Sequence, residues 1–163
     1  MIMDLPVTIR TQLEPGDLGY IAYLHGRQYA EEFGYGLYFE NYVLGALHEF
    51  ATGYDPAKDG IWVCEHEKKK VGFLVAAHRE DTVQLRFLIL LPEYRGAGLA
   101  RRLMDLFIAF MRDRGYRKAY LLTTNEQETA ISMYERYGFY LTEEKESKAF
   151  DKLLVERKYE LSL

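Results

Sequence analysis

Leu90-Leu91-Pro92-Glu93-Tyr94-Arg95-Gly96-Ala97-Gly98-Leu99-Ala100 closes one apolar run and opens an amphipathic one. The run from Leu85 to Leu91 stops at a proline, a small-residue loop follows, and helical spacing begins directly after it. That order reads strand, glycine loop, helix. The first N–H groups of a helix have no partner within it. Together with the positive end of the helix dipole they make a seat for phosphate. Gly96 and Gly98 carry no Cβ, so a pyrophosphate can approach the main chain closely. The stretch predicts a phosphorylated ligand held at this loop.

On its C-terminal side, Leu99, Leu103, Leu106, Phe107, Phe110 and Met111 share one helix face as far as Arg114, and Gly115 ends the helix. Lys118 to Thr123 reads as a strand, parallel to the preceding one because a helix crosses over between them. Glu126 to Tyr137 is a further helix stopped by Gly138, and Phe139–Glu146 and Phe150–Glu160 form a closing antiparallel pair. On the N-terminal side, Ile61–Cys64, Val71–Ala77 and Val83–Leu91 are three antiparallel strands joined by short turns. The charge run Lys68–Lys70 reads as a solvated turn. A short strand, Val7–Arg10, and two helices, Leu18–Glu32 and Tyr38–Ala51, come first. The sum is an α/β (α+β) domain spanning residues 1–163, with a mixed, mostly antiparallel sheet of six to seven strands and four helices in the order βααβββαβαββ.

Hydrophobic residues make up 48% and charged residues 28%, a globular balance that excludes a disordered chain. With 21 Lys and Arg against 25 Asp and Glu the net charge is −4, which argues against a nucleic-acid partner. Cys64 is the single cysteine, so no intrachain disulfide can form; it lies in an alternating apolar run and reads as a packed core thiol. The four histidines, His25, His48, His66 and His78, lack ligand spacing, and no metal is predicted. Met1–Pro6 has no basic or long apolar segment of a signal peptide, and no run nears the ~20 residues of a membrane helix. A cytoplasmic protein without a membrane partner is expected.

Two motifs carry a resemblance. Arg95-Gly96-Ala97-Gly98-Leu99-Ala100 fits the pattern Gln/Arg-x-x-Gly-x-Gly/Ala, and Ala130-Ile131-Ser132-Met133-Tyr134-Glu135-Arg136-Tyr137-Gly138-Phe139 fits a second signature of alanine, a tyrosine four residues on, and a closing Gly-Phe. In this element order they resemble the GNAT superfamily of acetyl-CoA-dependent N-acetyltransferases, from about Val83 to Glu143. His25 to Gly34 and Leu85 to Leu88 also resemble the acetyltransferase domain fused to MarR-type regulators, here standing alone.

The resemblance implies a sheet splayed between the fourth and fifth strands. The backbone of Leu88, Ile89 and Leu90 would bind the pantetheine arm of acetyl-CoA as an added strand. Gly96, Ala97, Gly98, Leu99, Ala100 and Arg101 would wrap the pyrophosphate, with Arg95 and Arg101 adding charge-assisted bonds. Tyr134 would lie near the thioester sulfur, either protonating the leaving thiolate or hydrogen-bonding it. Gln127 stands where many members have an asparagine against the cofactor, and Asn125 is the alternative. Leu122 occupies a position where some members carry a glutamate base. His25, Tyr29 and Glu32, at i, i+4 and i+7 on one helix, are candidates for the acceptor wall, with Glu32 for an ammonium and His25 for its proton. Arg86 is a candidate for a carboxylate. The implied reaction is direct transfer of acetyl from acetyl-CoA to a primary amine of a small molecule or amino-acid-type acceptor. An acyl-CoA-binding module without turnover and a protein or peptide N-acetyltransferase are the alternatives. The aromatic-rich C-terminal hairpin, Tyr137 to Tyr159, is a candidate homodimer surface.

Overall fold

A computed structural model describes residues 6–163; the leader reading, which rests mainly on residues 1–5, lies outside them. The elements follow in the expected order: β1 (Thr8–Arg10), α1 (Asp17–Phe33), α2 (Leu37–Thr52), β2 (Gly60–His66), β3 (Lys69–Arg79) and β4 (Thr82–Leu90). A single 3-10 turn (Pro92–Tyr94), α3 (Leu99–Arg114), β5 (Lys118–Thr124), α4 (Glu128–Arg136), β6 (Tyr140–Ser147) and β7 (Leu154–Ser162) complete them. The seven strands form one sheet in the order β1-β2-β3-β4-β5-β7-β6. Among the described residues only β4 and β5 run parallel, as a helical crossover requires. No helix among the described residues is long and apolar enough to cross a membrane.

The hairpin between β2 and β3 turns on Glu67 and Lys68, with φ of +51° and +66°. Two left-handed residues suit a tight hairpin because their twist matches that of the strands. Lys69 and Lys70 therefore belong to β3, and the solvated reading of that run fails at Lys70. Its Nζ lies 2.7 Å from Asp17 Oδ1, and Arg10 Nη1 lies 2.8 Å from the other oxygen. Asp17 is fully buried at the start of α1. Burial pulls its pKa upward, but hydrogen bonds from Arg10, Lys70 and the Glu14 N–H outweigh it, and the carboxyl is lowered to about 2.

Successive strand residues point to opposite faces, and this places the helices. On β3 Phe73 meets Tyr20 of α1, while Trp62 of β2, paired with Leu74, meets Phe107 and Phe110 of α3. Helices α1 and α2 thus cover one face and α3 the other. Tyr137, just past α4, donates to Asp105 at 2.7 Å and ties α4 to α3. The α3 stripe packs as expected except at Leu106, which is partly exposed; Met104 is buried in its stead. Phe73 and Phe107 are fully enclosed, each contributing roughly 1.5–3 kcal/mol of transfer free energy. Cys64 is likewise buried, and burial pushes its thiol up to about 12.

The last boundaries shift for tertiary reasons. Strand β7 begins at Leu154 rather than Phe150. Phe150 leaves the ladder and packs against Tyr35, Phe39 and Tyr42 from the first two helices. Helix α4 begins at Glu128, two residues later than expected, because Glu126 is held by Lys152 at 2.6 Å.

Candidate active site

Strands β4 and β5 are in register at two pairs alone, Val83 with Ala119 and Gln84 with Tyr120. Beyond these the strands part, leaving the β5-facing edge of β4 from Leu85 to Leu90 without a partner strand among the described residues. The cause is local. Between the pairs Phe73–Ile89 and Val75–Arg86, a single β3 residue faces two on β4, Phe87 and Leu88. This is a β-bulge, which bends a strand and sharpens its twist. Phe87 sits at φ +55°, a conformation costing a phenylalanine about 1–3 kcal/mol.

At the C-terminal end of β4 the chain turns through Gly96 (φ +78°) and Gly98 (φ +82°) into α3. A Cβ at either position would meet no atom within 4 Å. Left-handed φ, rather than crowding by the protein, therefore requires glycine here. The first bond into the helix is Arg102 N–H to the Gly98 carbonyl, so the N–H groups of Leu99, Ala100 and Arg101 have no helical acceptor. Arg95 reaches across to α1, where its Nη2 lies 2.6 Å from Glu32 and 3.1 Å from Gln28. Arg101 is exposed beside this nest, and Arg102 donates to the Val7 carbonyl at 3.4 Å.

The parted strands open into a cavity of about 810 Å³. His25, Tyr29, Arg86, Leu88, Gln127 and Tyr134 all line it, so the structure brings these together. Ile89, Leu90 and Asn125 are not among its lining residues. Asn125 instead accepts from the Val155 N–H at 2.9 Å, fastening the loop after β5 to β7. Glu32 is turned to Arg95 and away from the cavity, so α1 splits its candidates between two ends of the site.

His25 Nδ1 donates to the Ile21 carbonyl at 2.8 Å, which leaves Nε2 as the acceptor nitrogen. Burial lowers its pKa to about 4, although the Ile21 bond opposes this, and the ring is neutral at neutral pH. It packs on Tyr29 and edge-on against Phe87. The Tyr29 hydroxyl donates to Gln127 Oε1 at 3.4 Å, and its ring stacks on Phe39. Tyr134 is buried, and its hydroxyl makes no hydrogen bond among the described residues. Burial pushes this phenol well above its usual range, with Tyr29 adding to the effect. It is a neutral O–H facing the cavity.

The part of the cavity region built by α2, β6 and β7 was not read from the sequence. Tyr42 of α2 comes within 3.4 Å of Arg86 Nη2. Tyr35 and Thr124 share a 2.7 Å hydroxyl bond, and burial raises Tyr35 to about 12. From β6 and β7 come Glu143, Glu144, Glu156, Arg157 and Lys158. The available signal was the mixed charge runs Glu143-Glu144-Lys145 and Glu156-Arg157-Lys158 in the closing pair of strands. It reads equally well as a solvated sheet face. Leu122, half-exposed, stands among them.

Residues 19–139 match the family model described as acetyltransferase (GNAT). The chain is 32% identical over 112 residues to N-acetyltransferase family 8 member 2 of Rattus norvegicus, covering 63% of this chain and 50% of that protein. It is 32% identical over 97 residues to the uncharacterized N-acetyltransferase YjgM of Escherichia coli K12, covering 57% of this chain and 58% of that one. The matched regions thus span about half the length of these curated relatives. In fold it is similar to a GNAT family acetyltransferase from Elizabethkingia anophelis solved with acetyl-CoA bound, with a TM-score of 0.69 at 14% identity over 96% of this chain and 98% of the other.

Proposed function

Because this chain belongs to the acetyltransferase (GNAT) family, we propose that it transfers the acetyl group of acetyl-CoA to a primary amine of a small-molecule or amino-acid-type acceptor by direct attack. The observation that carries this is the parting of β4 from β5 above a cavity that contains Tyr134. An unpartnered strand edge presents N–H and C=O groups in the pattern an extended amide-bearing arm can pair with. The pantetheine of acetyl-CoA is such an arm. Its diphosphate then falls at Gly96–Arg101, where free N–H groups and the α3 dipole favour negative charge. Arg101 and Arg95 add positive charge there, the latter by exchanging Glu32 for phosphate oxygen. Gln127, on the cavity wall, is better placed than Asn125 to meet the arm.

The amine lone pair attacks the thioester carbonyl, and a main-chain N–H of the bulged segment Phe87–Leu90 steadies the oxyanion. The attacking nitrogen gives up a proton to water, the C–S bond breaks, and the thiolate departs beside the Tyr134 hydroxyl. An unperturbed phenol near 10 is a weaker acid than a thiol near 8.5, and burial raises the phenol further. The same burial destabilises the thiolate, so a short O–H···S contact serves whether or not the proton crosses. His25, held neutral with Nε2 free, accepts a hydrogen bond from the incoming amine. Its lowered basicity fits orienting the amine better than storing its proton. Arg86, on the acceptor side beside Tyr42, holds a carboxylate of the acceptor.

Release of free thiol from acetyl-CoA across a panel of amines and amino acids tests the reading. Turnover with at least one acceptor supports it. Tight coenzyme A binding without turnover on any acceptor points instead to an acyl-CoA-binding module, which the lack of a carboxylate at Leu122 would suit. Strand β6 at the sheet edge leaves Tyr140 and Leu141 substantially exposed, and this is the edge at which a homodimer would join.

A further inference from the structure

The acceptor side of the cavity holds several charged groups, and they are not equally committed. Glu144 lies 3.1 Å from Arg157 Nε, and Glu143 lies 3.8 Å from Lys158 Nζ. Lys158 is also held over the Tyr120 ring at 5.0 Å. Glu156, on the same cavity wall, makes no ion pair or hydrogen bond among the described residues. It sits on β7 between Thr124 of β5 and Lys145 of β6 in the strand register. The Thr124 hydroxyl is taken by Tyr35, and Lys145, an exposed side chain on the same cavity, forms no ion pair with Glu156 among the described residues. Glu156 is therefore a half-buried carboxylate with unused acceptor capacity, in a cavity that also shows the rings of Phe39, Tyr42 and Phe150.

We infer that Glu156 receives the acceptor's ammonium group and so selects amines that arrive as cations. The inference rests on the transferase reading above and adds the charge class of its acceptor. A charge-assisted N–H···O⁻ bond is roughly twice as strong as a neutral one, and nearby aromatic faces favour a cation further. Arg86 stands on the same cavity at the β4 side, so an acceptor with a carboxylate beside its amine meets opposite charges at two points. Glu156 positions the ammonium, which gives one proton to water before its freed lone pair attacks, and loss of Glu156 is felt in acceptor binding rather than in cofactor binding.

The test uses the full chain saturated with coenzyme A and follows alaninamide by NMR titration, with neutral N-acetylalaninamide as the reference. Wild type should bind alaninamide in preference to the neutral amide. Glu156→Gln should weaken alaninamide at least tenfold and erase that preference, while Glu156→Asp recovers part of it. Coenzyme A affinity, measured by calorimetry, should stay within twofold in both variants, which also shows that they fold. Equal alaninamide affinity in wild type and Glu156→Gln overturns the inference. So does a wild type that binds none of alaninamide, benzylamine and putrescine. Amine binding without any thiol release from acetyl-CoA would instead leave this ammonium site standing and remove the transferase reading.

Discussion

Replacing Gly98 by alanine separates two reasons for a glycine in the phosphate loop, and Gly115 supplies the control. Both glycines flank α3, Gly98 at its start with φ +82° and Gly115 at its end with φ +78°. A Cβ at either would meet nothing within 4 Å. The conformational penalty of a left-handed alanine, about 1–2 kcal/mol, should therefore be the same at both ends. For a chain of this size that lowers the melting temperature by roughly 2–8 °C. The ligand breaks the symmetry, because only Gly98 borders the free N–H groups of residues 99–101. Displacing a diphosphate from one charge-assisted bond costs about 1.5–3 kcal/mol, roughly 10- to 150-fold in affinity. Thermal melts and coenzyme A calorimetry on Gly98→Ala and Gly115→Ala give both quantities. We expect similar melting shifts and a loss of coenzyme A affinity confined to Gly98→Ala. If the two variants bind coenzyme A alike, the nest does not hold the diphosphate and the assignment of this loop is wrong.

Tyr134→Phe should lower kcat by on the order of 10²-fold while the dissociation constant of coenzyme A changes little; an unchanged kcat removes the tyrosine from the chemistry. Arg86→Gln should raise KM at least tenfold for acceptors bearing a carboxylate and leave simple amines nearly unaffected, and equal effects on both classes would rule out its carboxylate role. Asp17, lowered from 3.8 to about 2 by its partners, contributes about 2 kcal/mol of stability. Because its folded pKa is depressed, that contribution is complete above about pH 4 and fades as the pH falls toward 2. Urea unfolding between pH 5 and 2.5 should show this acid loss in wild type and not in Asp17→Asn, which starts lower by about 2 kcal/mol because it loses the charged bonds to Lys70 and Arg10, although Arg10 keeps Glu65. Parallel acid profiles in the two proteins would contradict the assignment.

What was legible in the sequence was what neighbouring residues decide together. Helix faces repeat every three to four residues, so the α3 stripe could be read from Leu99 onward, and glycines at 98 and 115 mark positions that need left-handed φ. A short link between strands means a hairpin and a helical link means a parallel crossover, which carried the element order and the β4–β5 pairing. The two motifs at their spacing identified the family for the same reason. Tertiary structure alone decided where those elements stop cooperating. The bulge at Phe87 needs the register of β3 beside it, and the cavity exists because β4 bends away there while β5 stays paired with β7. Arg95 meets Glu32 from 63 positions away in the chain, Lys70 finds Asp17, and Glu156 is left without a partner among the described residues while Arg157 and Lys158 are paired. Charge identity is written in the sequence, but whether a charge is spent or free depends on which distant side chain lies within a few ångströms of it, and only the folded chain sets that distance.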